Sequence, residues 1–273
     1  MNTKFYKVFR KKENIIIGAM HFPPLLGYPK FPGLNVALKN AIYDLTAFEK
    51  GGVDGVIFEN NYDNPHKPIV DSSVVASMAI LGNEIRKRTK LPLGVNVLWN
   101  DYVASLSLAK LLNLQFIRIP VFVDRVKTDC GIIQGNPQEI ALLQKRFEAQ
   151  NITLFTDIHV KHAKLLSNYS LTRSAKLAIK NGSDAIIITG KWTGQAPDIK
   201  TLQLLRQSIG DFPILIGSGL TKDNILELFR CANGVIVSTS LKKGNRRLGE
   251  VNVKSYNQRI SLRKIQDLMQ RIN

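Results

Sequence analysis

The sequence predicts an α/β protein of the (β/α)8 TIM-barrel class, and three observations lead to this prediction. Short β-branched runs alternate with helical patterns about eight times along 273 residues. Several runs, such as residues 15–17 and 186–188, are apolar on both faces, as buried parallel strands require. Two late strands end in small residues, where the last two loops of such a barrel hold a phosphate. A doubly wound open sheet is the rival architecture, and the number of strand–helix pairs favours the closed barrel.

Eight strands and eight helices are predicted in alternation. The strands are expected near residues 15–20, 55–59, 93–98, 116–120, 153–158, 185–189, 214–217 and 235–237. The helices are expected near residues 35–50, 71–89, 101–113, 136–149, 170–181, 198–209, 222–231 and 254–271. Because neither a linker nor a repeat interrupts the alternation, residues 1–273 are treated as one domain. That domain has a basic N-terminal lead over residues 1–13 and a C-terminal helix over residues 254–272.

The formal charge of +17 is concentrated at the two ends of the chain. Residues 1–12 carry +5 and residues 242–273 carry +7, which leaves +5 for the whole of residues 13–241. Basic ends suit a peripheral contact with an anionic membrane surface. A nucleic-acid partner is not expected, because the sequence has no base-stacking aromatic pattern and no nucleic-acid motif.

The sequence predicts a cytoplasmic protein. No apolar run approaches the roughly 20 residues of a transmembrane helix, and the N-terminal segment lacks the apolar centre of a secretory signal. The early basic residues permit a mitochondrial address, but the segment before the first strand is short for one. The cysteines Cys130 and Cys231 fit no metal or redox spacing, so reduced thiols are expected.

The carboxyl ends of the barrel strands are the expected place for chemistry. His21 follows the first strand and is a candidate acid, base or anion ligand, with a structural histidine as the alternative. Glu59 closes the second strand and suits proton transfer or metal binding. Alternation along the third and fourth strands turns Asn96 and Arg118 into the barrel, where they need a polar ligand or a charged partner.

The fifth strand end has the densest group of ionisable residues. Period-two alternation places Asp157, His159 and Lys161 on one face. Asp157 and His159 are predicted to abstract and return a proton, with Glu59 as a second carboxylate, while Lys161 and Arg118 stabilise the developing negative charge. Alternatively, Asp157 and His159 join Glu59 around a divalent cation. A salt-bridged rim is the structural alternative.

Two further loops contribute candidate ligand contacts. Asp129 lies in a long loop after the fourth strand and is either a base or a turn-forming aspartate. Thr189 and Gly190 begin a glycine-rich loop after the sixth strand, which is expected to close over a ligand. Lys191 in this loop lies near the position of the Schiff-base lysine of class I aldolases, although a phosphate contact or a solvent-exposed lysine is favoured.

The predicted phosphate site is built by the loops after the seventh and eighth strands. Small residues leave the backbone N–H groups accessible, and hydroxyls add further donors. The predicted phosphate ligands are Gly217, Ser218, Gly219, Ser238, Thr239 and Ser240. Two tight turns that simply need glycine are the alternative interpretation.

Once these strand ends are aligned, the chain resembles the BtpA/SgcQ family. The matching segments are residues 18–27, 51–60, 92–101, 128–135, 156–163, 188–194, 215–221 and 234–242, so that the resemblance covers nearly the whole chain. It implies a TIM barrel similar to the ribulose-phosphate-binding group. The family is named after a cyanobacterial factor needed for photosystem I accumulation and after a protein of a bacterial sugar operon. Neither name states a reaction.

The chain departs from the family pattern at several positions. Gln134 stands where an acidic residue is common, which argues against a mechanism that needs a carboxylate in the fourth loop. Cys130, Pro120 and Lys191 replace a glutamine, an asparagine and a small residue. Ser238 replaces a glycine and narrows the phosphate loop, but its hydroxyl can still donate.

The sequence and the resemblance together predict an enzyme for a phosphorylated sugar or a nucleotide-like small molecule. Isomerase, lyase and glycosyl-bond-cleaving activities all fit the candidate groups. The sequence requires no cofactor, and a divalent metal is left open. The alternative is a non-catalytic biogenesis or assembly factor for a membrane complex on a TIM-barrel scaffold. A homo-oligomer fits the exposed helices of such a barrel, although no apolar stripe marks an interface.

Overall fold

The computed structural model describes residues 3–190, 192–244 and 254–272. Eight parallel strands form a closed barrel in which each strand pairs with its neighbour along the chain. These strands are β1 (Ile15–His21), β2 (Gly55–Glu59), β3 (Leu93–Asn96), β4 (Phe116–Ile119), β7 (Thr153–Asp157), β9 (Ala185–Ile188), β10 (Ile214–Ile216) and β11 (Gly234–Val237). The remaining short strands, β5 (Arg125–Thr128), β6 (Gly131–Gln134) and β8 (Lys164–Leu165), form a separate antiparallel sheet. The predicted fold class is confirmed.

The barrel strands alternate with helices that cover the outside of the sheet. The helices are α1 (Thr3–Phe9), α2 (Leu34–Gly51), α3 (Ser72–Arg88), α4 (Tyr102–Leu111), α5 (Pro137–Arg146), α6 (Leu171–Lys180), α7 (Ile199–Ile209), α8 (Ile225–Phe229) and α9 (Leu262–Met269). Several begin at side-chain caps, as at Asp101, Asn136 and Asp198. Within the described ranges, none of the helices combines the length and the apolar character needed to cross a bilayer.

The interior of the barrel changes from apolar to polar along the strand direction. Strand alternation turns Ile15, Ile17 and Ala19 of β1 inward, and they pack with inward residues of the other strands. Further along, the inward residues become Glu59 and Arg118. The apolar amino-terminal half stabilises the barrel, and the carboxyl ends of the strands are left for the site.

The predicted basic lead contains a helix that closes the bottom of the barrel. The rings of Phe5 and Phe9 in α1 are buried, with centroids 5.5 Å from Phe155 and 5.9 Å from Phe116, respectively. Lys4 and Lys7 are exposed on the outer side of this helix, whose apolar side belongs to the core. Charge counting alone did not indicate this role.

Removing the Phe5 ring of α1 from the core is expected to destabilise the fold. Phe5→Ala should lower the free energy of unfolding by about 3–5 kcal/mol, because it leaves a cavity among packed rings. Urea denaturation measures the change, and Lys7→Ala on the exposed side of α1 is the matched control. Equal effects of the two substitutions would show that α1 is not part of the core.

The predicted C-terminal helix is too long. In the structure, α9 spans only Leu262–Met269 and begins at the cap Ser261, while residues 254–260 are not helical. The cause is the buried carboxylate of Asp44, which accepts a hydrogen bond from the Ile260 N–H at 2.9 Å and pairs with Arg259 at 3.0 Å. Residues 254–260, here called the C-terminal strap, lie at the mouth of the barrel instead.

The long loop predicted after the fourth strand is a hairpin. β5 and β6 pair in antiparallel fashion from Arg125 and Gln134 to Thr128 and Gly131. Asp129 therefore occupies the two-residue turn of the hairpin. The sequence analysis did not predict β5 and β6, because each strand is only four residues long and lies within a connection between barrel strands.

Candidate active site

A cavity of about 1030 Å³ opens at the carboxyl ends of the barrel strands. Its wall contains loop residues from most strands and part of the C-terminal strap. The predicted residues that line it are His21, Glu59, Arg118, Asp129, Lys161, Gly217, Ser218, Gly219, Ser238, Thr239 and Ser240. This is the place where (β/α)8-barrel enzymes have their active sites.

A buried ion-pair network forms the floor of the cavity. Arg118 donates to both carboxylate oxygens of Asp157, with Nε–Oδ1 and Nη2–Oδ2 distances of 2.8 Å each. Its Nη1 donates to Glu59 Oε1 at 3.2 Å, and Asn96 Nδ2 donates to the same oxygen at 3.2 Å. Burial lowers the pKa of Arg118, but Asp157 and Glu59 outweigh it and raise that pKa above its ordinary value.

This network separates the roles of the two carboxylates. Asp157 is 1% exposed, lies beneath Arg118 and has both oxygens engaged by the guanidinium. Glu59 lines the cavity, and its second oxygen, Oε2, lies 3.5 Å from His21 Nε2. The geometry therefore gives Asp157 the task of positioning Arg118 and leaves Glu59 as the carboxylate that a ligand can reach.

His21 is held as a neutral imidazole. Burial lowers its pKa well below the ordinary value, and the positive charges of Lys242, Lys161 and Arg118 lower it further. When its Nε2 carries the hydrogen, a neutral imidazole beside Glu59 can donate a hydrogen bond to a carboxylate oxygen. His21 and Glu59 are therefore neighbouring polar groups on one side of the cavity.

His159 does not join this group, so the predicted arrangement of three side chains on one face is wrong. β7 ends at Asp157, and His159 has a left-handed backbone with φ 46°. Its N–H donates to Asp124 Oδ2 at 3.0 Å, which fixes the turn. Its Nε2 is buried without a partner among the described residues, and His159 does not line the cavity. Strand alternation fails because the strand has ended.

The same turn separates the three residues proposed as metal ligands. Glu59 and Asp157 are both engaged by Arg118, and His159 lies elsewhere. Among the residues that the structure describes, no group of three or more His, Cys, Asp or Glu side chains is placed to hold a metal ion. The predicted metal ligands therefore do not form a common site.

Three other predicted ligand contacts lie outside the cavity wall. Asn96 is fully buried beneath Glu59, and Thr189 Oγ1 accepts a hydrogen bond from the Lys161 N–H at 3.2 Å. A Cβ on Gly190 would overlap the carbonyl of Gln195, so this glycine serves loop packing. Asn96 and Thr189 support cavity residues instead of meeting a ligand themselves. Lys191 lies outside the described residues.

Lys242 is a cavity residue that the sequence did not reveal. It is 2% exposed, and its Nζ donates to the Tyr62 hydroxyl at 2.9 Å while lying 4.9 Å from the centre of the Tyr62 ring. Burial lowers its pKa to about 7, although Asp44 opposes the shift. In the sequence, Lys242 is one of several basic residues in a basic segment. Its contact with Tyr62, which only the structure shows, distinguishes it from the other basic residues of that segment.

The cavity is strongly basic. Of the residues that the structure describes, six with basic side chains and two with acidic ones line it. The basic residues are Lys30, Arg118, Lys161, Lys242, Lys254 and Lys264, and the acidic ones are Glu59 and Asp129. Such a wall attracts an anionic ligand.

Partly buried histidines at the cavity make the free energy of unfolding depend on pH. Burial lowers the pKa values of His66 and His162 to about 4. Since a histidine in the unfolded chain titrates near pH 6.5, the unfolded state binds more protons between about pH 6.5 and 4. The free energy of unfolding should therefore fall as the pH is lowered through this window.

Substitution tests this dependence. His66→Gln should flatten the fall, measured by urea denaturation at several pH values. Asp63→Asn is the contrasting variant, because burial raises the pKa of Asp63 to about 6 and makes this carboxyl oppose the fall. Its removal should steepen the slope. An unchanged slope in His66→Gln would show that this imidazole titrates normally in the folded state.

The fold and the basic cavity define a (β/α)8-barrel protein with its candidate site in the usual place for this class. The chain belongs to the BtpA family, whose sequence profile matches residues 12–265. The predicted family is thereby confirmed.

Several relatives share most of their length with the chain. An uncharacterised protein of Pyrococcus horikoshii is 36% identical over 239 residues, which are 87% of this chain and 91% of the relative. The photosystem I biogenesis protein BtpA of Synechocystis sp. is 37% identical over 234 residues, or 85% and 81% of the two chains. The sgc region protein SgcQ of Escherichia coli is 31% identical over 235 residues, or 85% and 87%.

Solved structures with little sequence similarity share the fold. Geranylgeranylglyceryl phosphate synthase from Thermoplasma acidophilum, in complex with its substrate sn-glycerol-1-phosphate, has a TM-score of 0.61 at 13% identity, covering 100% of this chain and 98% of that one. Phosphoribosyl anthranilate isomerase from Thermus thermophilus has a TM-score of 0.56 at 12% identity, covering 94% and 98%. Both are similar to this chain in their barrel architecture.

Proposed function

We propose that the protein is an enzyme that binds a phosphorylated sugar or a nucleotide-like small molecule by its phosphate group. One observation carries this proposal: two adjacent loops of the cavity present backbone N–H groups for which no described residue is the acceptor. These N–H groups belong to Ser218, Gly219, Leu220, Ser238, Thr239 and Ser240. Backbone donors converging from two strand ends are a usual phosphate site in (β/α)8 barrels.

The two loops differ in how their side chains are used. In the first loop, Ser218 Oγ donates to the carbonyl of Gln195 at 3.0 Å. The backbone N–H of Gly217 donates to the carbonyl of Ile188 at 2.9 Å. Neither of these two donors is therefore left for a phosphate. Ser238 Oγ has no partner among the described residues. The departure from the family pattern at Ser238 therefore adds a hydroxyl donor to the site.

Two glycines shape the site. Gly219 has φ 80°, and a Cβ there would overlap the backbone of Gln195 and Ala196. A Cβ on Gly217 would lie 2.8 Å from side-chain atoms of Ile187 and Thr189 and 3.5 Å from Arg118 Nη2. Glycine at this position keeps the wall open between the phosphate loops and the floor of the cavity.

Proton transfer is assigned to the cavity groups that a ligand can reach. Glu59 with His21 provides a carboxyl–imidazole pair, and Lys161 provides an amine. Arg118 supplies fixed positive charge for an oxyanion. An isomerase, a lyase or a glycosyl-bond-cleaving enzyme would use the same groups, because each moves a proton beside a developing charge.

The comparisons support the substrate class. The two barrel proteins are named for a phosphate product and a phosphoribosyl compound, and the first was solved with a glycerol phosphate substrate. Because their identity to this chain is low, these proteins show only that a barrel of this kind can bind a phosphorylated compound. The reason to propose the same ligand class for this chain is its uncommitted N–H groups.

A thermal-shift screen tests the proposal. Purified protein is heated with phosphosugars, nucleotides and inorganic phosphate, each beside its unphosphorylated counterpart. A compound present at about 100 times its dissociation constant adds about 2.7 kcal/mol to the free energy of unfolding, which moves the melting temperature visibly. A shift restricted to phosphorylated compounds is expected. Equal shifts from both members of every pair would contradict a phosphate site.

A second candidate function comes from the name of the Synechocystis relative, a photosystem I biogenesis protein. As an assembly factor, the protein would meet an anionic membrane surface through its basic ends. Arg246 and Arg247 of the basic C-terminal segment lie outside the described residues. Binding to anionic vesicles that weakens in Arg263→Gln, together with indifference to every phosphorylated compound, would favour this function.

A further inference from the structure

We propose that Lys161 is an amine nucleophile that forms an imine with a carbonyl group of the bound compound, so that the substrate is a phosphorylated aldehyde or ketone. The inference deepens the proposed function and rests on it for the phosphate. It adds a reactive atom, a bond and a chemical class of substrate.

The first support is the hydrogen bonding of the lysines in the cavity. Lys242 Nζ donates to the Tyr62 hydroxyl at 2.9 Å, and the Nζ atoms of Lys254 and Lys264 donate to the Lys242 carbonyl at 2.6 and 2.7 Å. Lys161 lines the same cavity, but no described residue accepts a hydrogen bond from its Nζ. Lys30 also lines the cavity without a described acceptor for its Nζ, but it is exposed. Among the described cavity lysines that are not exposed, Lys161 is therefore the one whose amine is left for a ligand.

The second support is the way the backbone places this amine. The Lys161 N–H donates to Thr189 Oγ1 at 3.2 Å, which ties the loop after β7 to the end of β9. Lys161 follows the left-handed turn at His159 by two residues. The turn and the hydrogen bond hold the lysine beside the ion-pair floor, although the strand itself has ended.

The third support is the charge around the amine. The charges that act on it are those of Arg118 from β4, Glu59 from β2 and Asp157 from β7. Burial and then Arg118 lower the pKa of Lys161 to about 8, although the two carboxylates oppose them. Compared with a lysine of ordinary pKa, the neutral fraction at pH 7 rises about 300-fold. A neutral amine is the form that attacks a carbonyl carbon.

The step balances without another reactant. Glu59 takes one proton from the Lys161 ammonium, and the nitrogen lone pair attacks the carbonyl carbon while the C=O π electrons move to oxygen. That oxygen receives the proton back from Glu59 and a second one from the nitrogen. The C–O bond then breaks, water leaves with the bonding pair, and the nitrogen lone pair forms the C=N bond. The ammonium and the carbonyl thus become a protonated imine and one water.

The test uses pyridoxal 5′-phosphate, an aldehyde with a phosphate group, on the folded full-length chain. Imines are reduced with borohydride at short times, and peptide mass spectrometry gives the labelling rate of each lysine. A lower pKa also makes the neutral amine a weaker nucleophile. The dependence of nucleophilicity on pKa that thiols show corresponds to a loss of about tenfold. Lys161 should therefore react about 30-fold faster at pH 7 than Lys176, which is exposed on α6. Its rate should rise through pH 8, and excess inorganic phosphate should slow it.

Two variants and a second probe separate the possible outcomes. Lys161→Met should lose the fast label while retaining the circular dichroism spectrum and the stabilisation by inorganic phosphate. Lys200→Met, at an exposed position of α7 outside the cavity wall, should keep the fast label. If inorganic phosphate competes with binding of the probe but Lys161 reacts no faster than Lys176, Lys161 is not the nucleophile, and the proposed phosphate site still holds. Equal labelling of Lys161 by pyridoxal, which lacks the phosphate, would overturn the phosphate site and leave the nucleophile standing.

Discussion

Arg118→Met is expected to lower the free energy of unfolding by about 3–5 kcal/mol, because it leaves two buried carboxylates without their counter-ion. Arg118 makes three hydrogen bonds of 2.8–3.2 Å to Asp157 and Glu59. Methionine nearly fills the same volume, so the loss reports on charge more than on packing. Urea denaturation at neutral pH measures it.

Controls show whether the network is the cause. Arg125→Met removes an exposed guanidinium from β5 and should change stability little. The double variant Arg118→Met with Asp157→Leu should regain part of the loss, since an apolar pair of similar size can replace a buried ion pair. A loss in Arg118→Met as small as that in Arg125→Met would contradict the buried network.

The same network changes the expectation for Asp157→Asn. A catalytic base on a strand end would be replaceable without damage to the fold. The structure shows both oxygens of Asp157 engaged by Arg118, so Asp157→Asn should destabilise the fold and release the guanidinium. Loss of turnover in this variant would accordingly not identify Asp157 as the base.

Thr239→Asp is expected to weaken binding of a phosphorylated compound by about 1000-fold. A carboxylate about 4 Å from a phosphate costs about 4 kcal/mol at a partly buried site, and each 1.4 kcal/mol is about tenfold in affinity. Thr239 lines the cavity beside the uncommitted N–H groups of its loop. Calorimetric titration with the phosphorylated compound that shifts the melting temperature measures the effect.

A matched variant separates charge from the loss of the threonine methyl group. Thr239→Ser keeps the hydroxyl and should bind nearly as the wild type does. The side chain of Thr239 is only partly buried, so the fold should survive both substitutions, as melting without ligand would verify. Unaltered affinity in Thr239→Asp would place the phosphate elsewhere in the cavity.

Much of the fold follows from patterns that the sequence displays openly. Buried parallel strands are continuous apolar runs, and for this reason all eight barrel strands lie where they were predicted, with ends displaced by a residue or two. α1 and the C-terminal strap were missed for a common reason. Phe5 and Asp44 act on residues far away in the chain, and local periodicity contains no trace of such contacts.

The candidate site was predictable where the strands fix the direction of side chains. Glu59, Asn96, Arg118 and Asp157 all turn inward as alternation requires. Past the end of β7 the rule no longer applies, so His159 was misplaced, while Lys161 reaches the cavity by way of a turn. Lys242 was missed because its role depends on burial against Tyr62 and not on its neighbours in sequence.

The central claim is that two loops of uncommitted N–H groups bind phosphate, and amide chemical shifts test it most directly. Inorganic phosphate is titrated into uniformly 15N-labelled protein with assigned backbone signals. The signals of Ser218, Gly219, Ser238 and Thr239 should move together and saturate. Those of Gly182 and Gly210, which lie in turns after α6 and α7, should stay in place. Shifts confined to other parts of the chain, or none at saturating phosphate, would contradict the account.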